Sequence, residues 1–406
     1  MSLNIKELSK IITVTRDPVG MVFKYTDRIF NSPKITNKMK QTFFIIALIF
    51  IQFFTCVAQN QPVIFSPPNA DGVISYFQQC PESPDGEKAA FTIFHAPDSM
   101  EVIVKIITTG EIKSVAKVKG QHRHSGTHPV WANNETLIYG SPSEYEIYHH
   151  NIKTGKVKKY SGGQISDYSQ VNNKLLYINK NIEREKVGIY VLDFNTNNSK
   201  CVVSRDEVAL LKDEIGTQNP VEYWRLDHPY WSPDGKKINF QIKTFKDKSL
   251  REHDYIFYTD EFGNKIHFIG LKPMHVQWWD NNSVFGQDWQ DKRDYYMRRY
   301  DLKGNMLEEI SGPGCHGAVS PNRKWVVTES WYGSDPIKVF LYKKGEIEPV
   351  KLLFQQPAVV NGIKFWEVRS HIHPAFSRDG KKVYFNGQGS DGKSKVWCYD
   401  LSEIVD

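Results

Sequence analysis

Apolar and polar positions alternate along this chain in short bursts rather than in helical turns. Segments such as GIYVLDFNTNN, DYIFYTDEFGN and KVWCYDL each carry a strand's length of apolar or aromatic residues and then a cluster of turn formers, and helical periodicity is weak throughout. One phrase recurs seven times: an apolar strand, a polar turn, a second apolar strand. The copies are CPESPDGEKAAF around Asp85, PVWANNETLIYG around Asn133, YSQVNNKLLYI around Asn172, PYWSPDGKKINF around Asp234, VQWWDNNSVFG around Asn281, AVSPNRKWVV around Asn322 and PAFSRDGKKVYF around Asp379. Asp-Gly and Asn-Asn between apolar runs favour tight hairpins, because these residues tolerate positive φ. The turn residues stand 39 to 62 positions apart, with room for two more strands in each interval. Seven repeats of four strands predict an all-β chain folded as a seven-bladed β-propeller. A pair of large β-sandwiches would not repeat one phrase at this spacing.

The same alignment exposes candidate chemistry. Five or six residues before the turn stand Gln79, His128, His228, His275, His316 and His373, so five of the chain's 13 histidines share one register. If each phrase begins on the innermost strand of its blade, that register lies at the mouth of the central channel, where residues distant in sequence become neighbours. His371 and His373 are two apart on one strand and project to the same face. With His275 they form a candidate three-nitrogen site for a divalent metal, leaving His228 and His316 for proton transfer or hydrogen bonding. Manganese, iron, cobalt and zinc all accept imidazole, so ligand type alone does not choose among them.

Composition narrows the class further. The chain has 406 residues, 52 Lys and Arg against 46 Asp and Glu, and a net charge of +6. There is no basic run of the kind that binds nucleic acid, and the mild cationic balance suits an anionic small substrate. The five cysteines include no C-x-x-C pair, which removes zinc-finger and dithiol redox readings. From Met39, MKQTFFIIALIFIQFFTCVAQNQ reads as a secretory leader with Cys56 and Ala58 at the −3 and −1 positions. Its apolar run is interrupted by Gln52 and is shorter than the ~20 residues of a membrane-spanning helix, and FFTC is a poor lipidation site for Cys56. The expected organisation is an extension over 1–38, a leader over 39–59 and a propeller over 60–406, exported to the periplasm or beyond, with no stable membrane insertion after cleavage.

Taken in order, ISYFQQCPESPDGEKAAF, DHPYWSPDGKK, MHVQWW, GCHGAVSPNRKW and RSHIHPAFSRDGKKVYF resemble successive blade starts of the oligogalacturonate lyases, the propeller family of polysaccharide lyases. The likeness runs from about Val73 to the C-terminus. It implies β-elimination from uronate oligosaccharides with a manganese-type ion held by three histidines and a glutamine. By position the ligands fall on His275, His371 and His373, and the base on His228. The glutamine falls on Val368, which cannot ligate, leaving a water, a substrate oxygen or Gln277 for that place. The arginine that binds the substrate carboxylate has no match; Arg184 or Lys186 stands nearby. His316, Arg225, Lys186 and His128 are the expected substrate-binding residues, while His122 and His124 have no counterpart. If a sugar oxygen leaves from C4 the enzyme is a lyase, and if water leaves it is a dehydratase. Trp224, Trp278, Trp279 and Trp289 either stack on sugar rings or fill gaps between blades. Two rival classes remain. A non-catalytic interaction propeller has no use for five histidines in one register, and a hydrolase would need a carboxylate pair or a nucleophile elbow that is not apparent here.

Overall fold

The computed structural model describes residues 61–405, apart from 182–185, 217–223, 246–250, 272, 290–294, 332 and 366–370. The expected leader, Arg184, Val368 and the side chain of Trp289 lie outside the described residues. Pro62–Asp406 forms one compact unit. Among the described residues it contains seven four-stranded antiparallel sheets and two helices of five and four residues, which is the seven-bladed propeller the repeats predicted. The innermost strands of blades 1 to 7 are Asp71–Val73, Val130–Asn133, Gln164–Ser169, Arg225–Trp231, Met274–Asp280, Cys315–Val319 and Ala375–Phe376.

The repeated phrase folds as it does because its serine and acid residues satisfy the turn's backbone. In blade 4, Ser232 Oγ donates to Asp234 Oδ1 at 2.6 Å and accepts the Lys237 N–H at 2.9 Å, while Asp234 Oδ1 also accepts the Lys236 N–H at 3.1 Å. Blade 6 (Ser320, Asn322) and blade 7 (Ser377, Asp379) repeat the same bonds. Competing side-chain bonds of this type favour turns over regular structure. Neighbouring turns are also tied together: the Asp234 N–H donates to Asn281 Oδ1 of the next blade at 3.1 Å.

Each hydrophobic core is shared by adjacent blades, so no blade buries its apolar faces alone. Leu176, Ile178 and Val191 of blade 3 pack with Ile238, Phe240 and Phe257 of blade 4, all nearly or fully buried. The ring closes by borrowing from the chain's start. Val63 and Ile64 pair with Cys398 and Trp397 as the outer strand of blade 7. Phe65 then enters the core between blades 7 and 1, its ring 5.1 Å from Tyr384 and 6.1 Å from Phe91. Tyr76 and Phe77, just beyond the first inner strand, are buried among rings from four other blades.

Asp167 links blades 3 and 4, accepting the Trp231 N–H at 2.8 Å and that of Tyr168 at 2.9 Å. Burial nevertheless outweighs both bonds and pushes its carboxyl up to about 7. The folded state therefore holds a proton that the unfolded chain, with its carboxyl near 3.8, releases. This contribution favours folding at acid pH, fades as pH rises from about 4 to 7, and is constant above that. Thermal unfolding across pH 4–8 should show this loss in the wild type and lack it in Asp167→Asn. Parallel profiles for the two proteins would refute the assignment.

Candidate active site and metal centre

The histidine register coincides with a repeated backbone irregularity. His128, His228, His275 and His373 all adopt left-handed backbone, with φ of 52°, 49°, 50° and 49°. Non-glycine residues enter this region at a cost of about 1–3 kcal/mol, and such positions cluster at functional sites. The ladder also slips at the histidine of blades 4, 5 and 6, between Asp227 and Tyr230, Met274 and Gln277, and Cys315 and Gly317. A bulge bends its strand and re-aims the side chain it carries. Here His128, His228, His275 and His316, with His371 of blade 7, line one cavity of about 500 Å³.

Three of these imidazoles converge. Ligating nitrogens of His316, His371 and His373 lie within 4.8 Å of one another. Glu329, on the second strand of blade 6, stands behind them and is almost wholly buried. Its Oε1 is 2.5 Å from His316 Nδ1 and 3.5 Å from His371 Nδ1, and its Oε2 accepts the His373 N–H at 2.9 Å. A carboxylate on Nδ1 fixes the proton there and leaves Nε2 as the electron-pair donor, the arrangement typical of metal-binding histidine. Burial, reinforced by neighbouring imidazoles, holds the His316 and His373 pKa values well below the ordinary 6.5, so both rings are neutral donors at pH 7. The donor set thus fits a first-row divalent cation.

His275, expected as the third ligand, is outside this triplet. Its ring is 4.4 Å from that of His316, and its Nδ1 is 2.8 Å from Gln287 Oε1 on the next strand. An amide oxygen accepts only, so Nδ1 carries the proton and Nε2 keeps its lone pair. His316, expected to bind substrate, takes the place in the triplet. His228 is engaged elsewhere: its Nε2 is 3.2 Å from Lys243 Nζ and 3.7 Å from Asp227 Oδ2, and Lys243 donates to Asp227 at 2.7 Å. Burial alone would raise the Asp227 carboxyl, but His228, Lys243 and Lys180 together hold it well below 3.8.

The other expected substrate contacts lie apart. Arg225 is exposed with its guanidinium 5.0 Å above the Phe245 ring, and Lys186 is exposed and 3.9 Å from Asp206; neither lines the cavity. His128 lines it, but its Nε2 faces the Ser166 carbonyl at 3.3 Å, and burial lowers its pKa to about 4. Gln277 lines a different cavity and donates to the Gly317 carbonyl at 2.8 Å. Trp224 and Trp279 are core residues, and Trp278 donates to the Tyr230 carbonyl.

The cations that do line the cavity are Lys180 and Lys243. Lys180 is open to solvent within the cavity, yet the surrounding walls thin its hydration and lower its ammonium pKa. Trp331, 44% exposed and stacked 4.1 Å from Tyr295, completes one wall. A sequence signal for several of these existed. Gln287 and Glu329 stand 12 and 13 residues after their histidines, each a polar residue at or near the end of an apolar second strand.

Several solved structures share this fold. A manganese complex of an oligogalacturonate lyase superposes with a TM-score of 0.58 at 16% identity, over 85% of this chain and 94% of that one. The oligogalacturonate lyase of Vibrio parahaemolyticus gives 0.63 at 14% identity, over 86% and 95%. The chain shares the fold of oligogalacturonate lyases. A prolyl endopeptidase matches at 0.51 and 13% identity over 83% of this chain but only half of its own. No protein-family profile matches the sequence, and no curated protein does either.

If Glu329 orients His316, Glu329→Gln should weaken divalent-metal affinity about 10- to 100-fold while leaving the apo fold intact. Titration calorimetry with Mn²⁺ would measure it, and an affinity equal to wild type would refute this role.

Proposed function

We propose that this protein catalyses metal-assisted β-elimination on uronate-containing oligosaccharides. The observation that carries the proposal is the cavity lined by His316 and His371 of the converging triplet, by Lys180 and Lys243, and by His228 and His275 among its further histidines. In a uronate the C5 proton is α to the carboxylate, and removing it places more negative charge on a group already anionic. His316, His371 and His373 would hold a divalent cation, manganese by analogy with the lyase complex or zinc, whose chemistry is to neutralise that carboxylate and stabilise the enolate-like charge.

The chain's own residues supply the rest. Lys243 and Lys180 attract the anionic sugar and can pair with its carboxylate. His275 takes the C5 proton on Nε2, the nitrogen its bond to Gln287 leaves unprotonated. Burial, followed by the nearby His316 and His228, keeps its pKa well below 6.5, so it is unprotonated at neutral pH and its conjugate acid is a strong donor. The C5–H and C4–O bonds break, a C4–C5 double bond forms, and the proton passes to the departing oxygen. His228, expected as the base, is better read as orienting Lys243 and Asp227, because an ammonium faces its Nε2. Trp331 offers a face for a sugar ring. Whether a glycosyl oxygen or water departs follows from which sugar of the chain the cavity admits.

The product is a conjugated unsaturated uronate that absorbs in the near ultraviolet. Incubation with pectic and algal uronate oligosaccharides should give this absorbance with metal and none with chelator, and mass spectrometry separates chain cleavage from loss of water. His275→Ala should lower kcat about 10²- to 10⁴-fold with metal retained, whereas His228→Ala should chiefly raise KM. Absence of an absorbing product from every uronate oligomer would favour a non-catalytic interaction propeller.

We also propose export by the leader over 39–59. Among the described residues no helix is long and apolar enough to cross a membrane. N-terminal sequencing of the mature protein should begin near Asn60; a start upstream of Met39 would refute the leader.

A further inference from the structure

Arg323 stands where the equivalent turns of blades 1, 4 and 7 carry glycine. Those turns use Gly86, Gly235 and Gly380, at φ of 72°, 69° and 75°. Blade 6 places Arg323 there, at φ 58°. A side chain on left-handed backbone is a cost that glycine avoids, and such costs gather at functional positions. The turn itself makes no use of the guanidinium. Its bonds run through the Arg323 N–H, which donates to the Ser320 carbonyl at 2.8 Å, and through the side chains of Ser320 and Asn322.

The arginine instead borders a second cavity. In blades 5 to 7 the inner strand has its histidine at or before its start, and the turn follows its end. The turn ends frame a basin of about 350 Å³ that shares no lining residue with the histidine cavity. Arg323 and Arg378 line this basin, and among the described residues no acid does.

The two arginines come from different sides. Arg323 sits 5.5 Å over the Trp279 ring of blade 5. Arg378 is fastened to blade 1, its backbone N–H donating to Glu82 Oε2 at 3.0 Å and its Nε to the Glu82 carbonyl at 3.2 Å. That leaves the two terminal nitrogens of its fork without a bond to any described residue. The nearby acids are engaged elsewhere: Asp280 pairs with Arg299 at 2.7 Å, and Glu82 Oε1 accepts the Tyr384 hydroxyl at 2.7 Å. Half-buried Trp278 adds an aromatic wall, its Nε1 already satisfied by the Tyr230 carbonyl at 2.8 Å. An arginine fork pairs a carboxylate or phosphate through two parallel bonds, and an indole face suits the apolar face of a sugar ring.

We propose that this basin is a second, non-catalytic site that binds a carboxylate-bearing sugar through Arg323 and Arg378, with Trp278 against the ring. Anion binding here follows from the arginines alone; that the anion is a uronate rests on the function proposed above. Since the basin and the histidine cavity have no residue in common, one chain can hold a uronate oligosaccharide in each.

Metal-stripped wild type, Arg323→Gly, Arg378→Gln and Lys180→Ala would be titrated by calorimetry with trigalacturonate, maltotriose and inorganic phosphate, at low and high salt. Wild type should bind two equivalents of trigalacturonate. One of them should weaken at least tenfold in each arginine variant, persist in Lys180→Ala, and weaken as salt rises. Maltotriose, which has no carboxylate, should not occupy the basin, and phosphate, which has no ring, should bind there at least tenfold more weakly. Arg323→Gly restores the residue that the other turns use, so it should melt no lower than wild type and, with metal restored, keep the wild-type kcat on uronate oligosaccharides. If it does not fold, Arg378→Gln carries the test. Trigalacturonate binding unchanged in both arginine variants overturns the site. Phosphate or maltotriose binding to the basin as tightly as trigalacturonate overturns the sugar-acid assignment. A binding equivalent lost in the arginine variants, from a wild type that yields no elimination product, upholds the basin and overturns the function proposed for the histidine cavity.

Discussion

One buried carboxylate, Glu329, holds the candidate site in order. It touches the imidazoles of His316 and His371 and the backbone N–H of His373, and so bridges blades 6 and 7. A carboxylate taken out of water is tolerated only when hydrogen bonds or charge compensate it. Here the compensation comes from the same groups that converge into a donor triplet. The convergence of the triplet and the burial of Glu329 are therefore mutually dependent. Removing either partner exposes the other's desolvation cost.

The arrangement extends beyond that residue. In blade 5 the second strand supplies Gln287 to His275, in blade 4 Lys243 to His228, and in blade 7 Asn386 to the carbonyl of His371. Inner strands carry the imidazoles on bulged or left-handed backbone, and second strands carry the polar group that fixes them. Buried hydrogen-bond partners can hold ring orientation and tautomer, which a mobile solvent shell would not. The strain at four positions of one register is affordable because the surrounding sheets are regular and their cores are packed between blades.

The propeller scaffold by itself decides little about chemistry, since half of a prolyl endopeptidase matches this fold, as the oligogalacturonate lyases do. What distinguishes this chain is the content of its channel. Tyr76 lines the cavity, and buried Tyr76 and Phe77 pack their rings against His373 and His316. The resulting loss of water explains why imidazoles here are driven toward the neutral form. It also gives electrostatic interactions in the cavity more weight than they would have at an open surface.

Sequence alone determined the fold class and the register of the site, because both follow from local rules. Turns of the Ser-Pro-Asp-Gly type satisfy their own backbone within six residues, and a sevenfold repeat of them requires a ring of like sheets. The five histidines became a candidate site by counting from those turns, without knowledge of any contact. Roles within the site were not legible in this way. His275 and His316 occupy equivalent positions in adjacent blades, and only their partners Gln287 and Glu329, together with the convergence of His316 with His371 and His373, tell them apart. Charge and proximity in sequence point to Arg225 and Lys186, yet Lys180 and Lys243 reach the cavity, because the ends of second strands converge there and the expected positions do not. His124 has no repeat to place it, and its position depends on how Gly126, in the connection between blades 1 and 2, seats against Thr92 of blade 1. Local sequence encodes turns and strands through short-range bonds; the identity of neighbours across a channel is set by ring closure and packing among blades, which no short stretch contains.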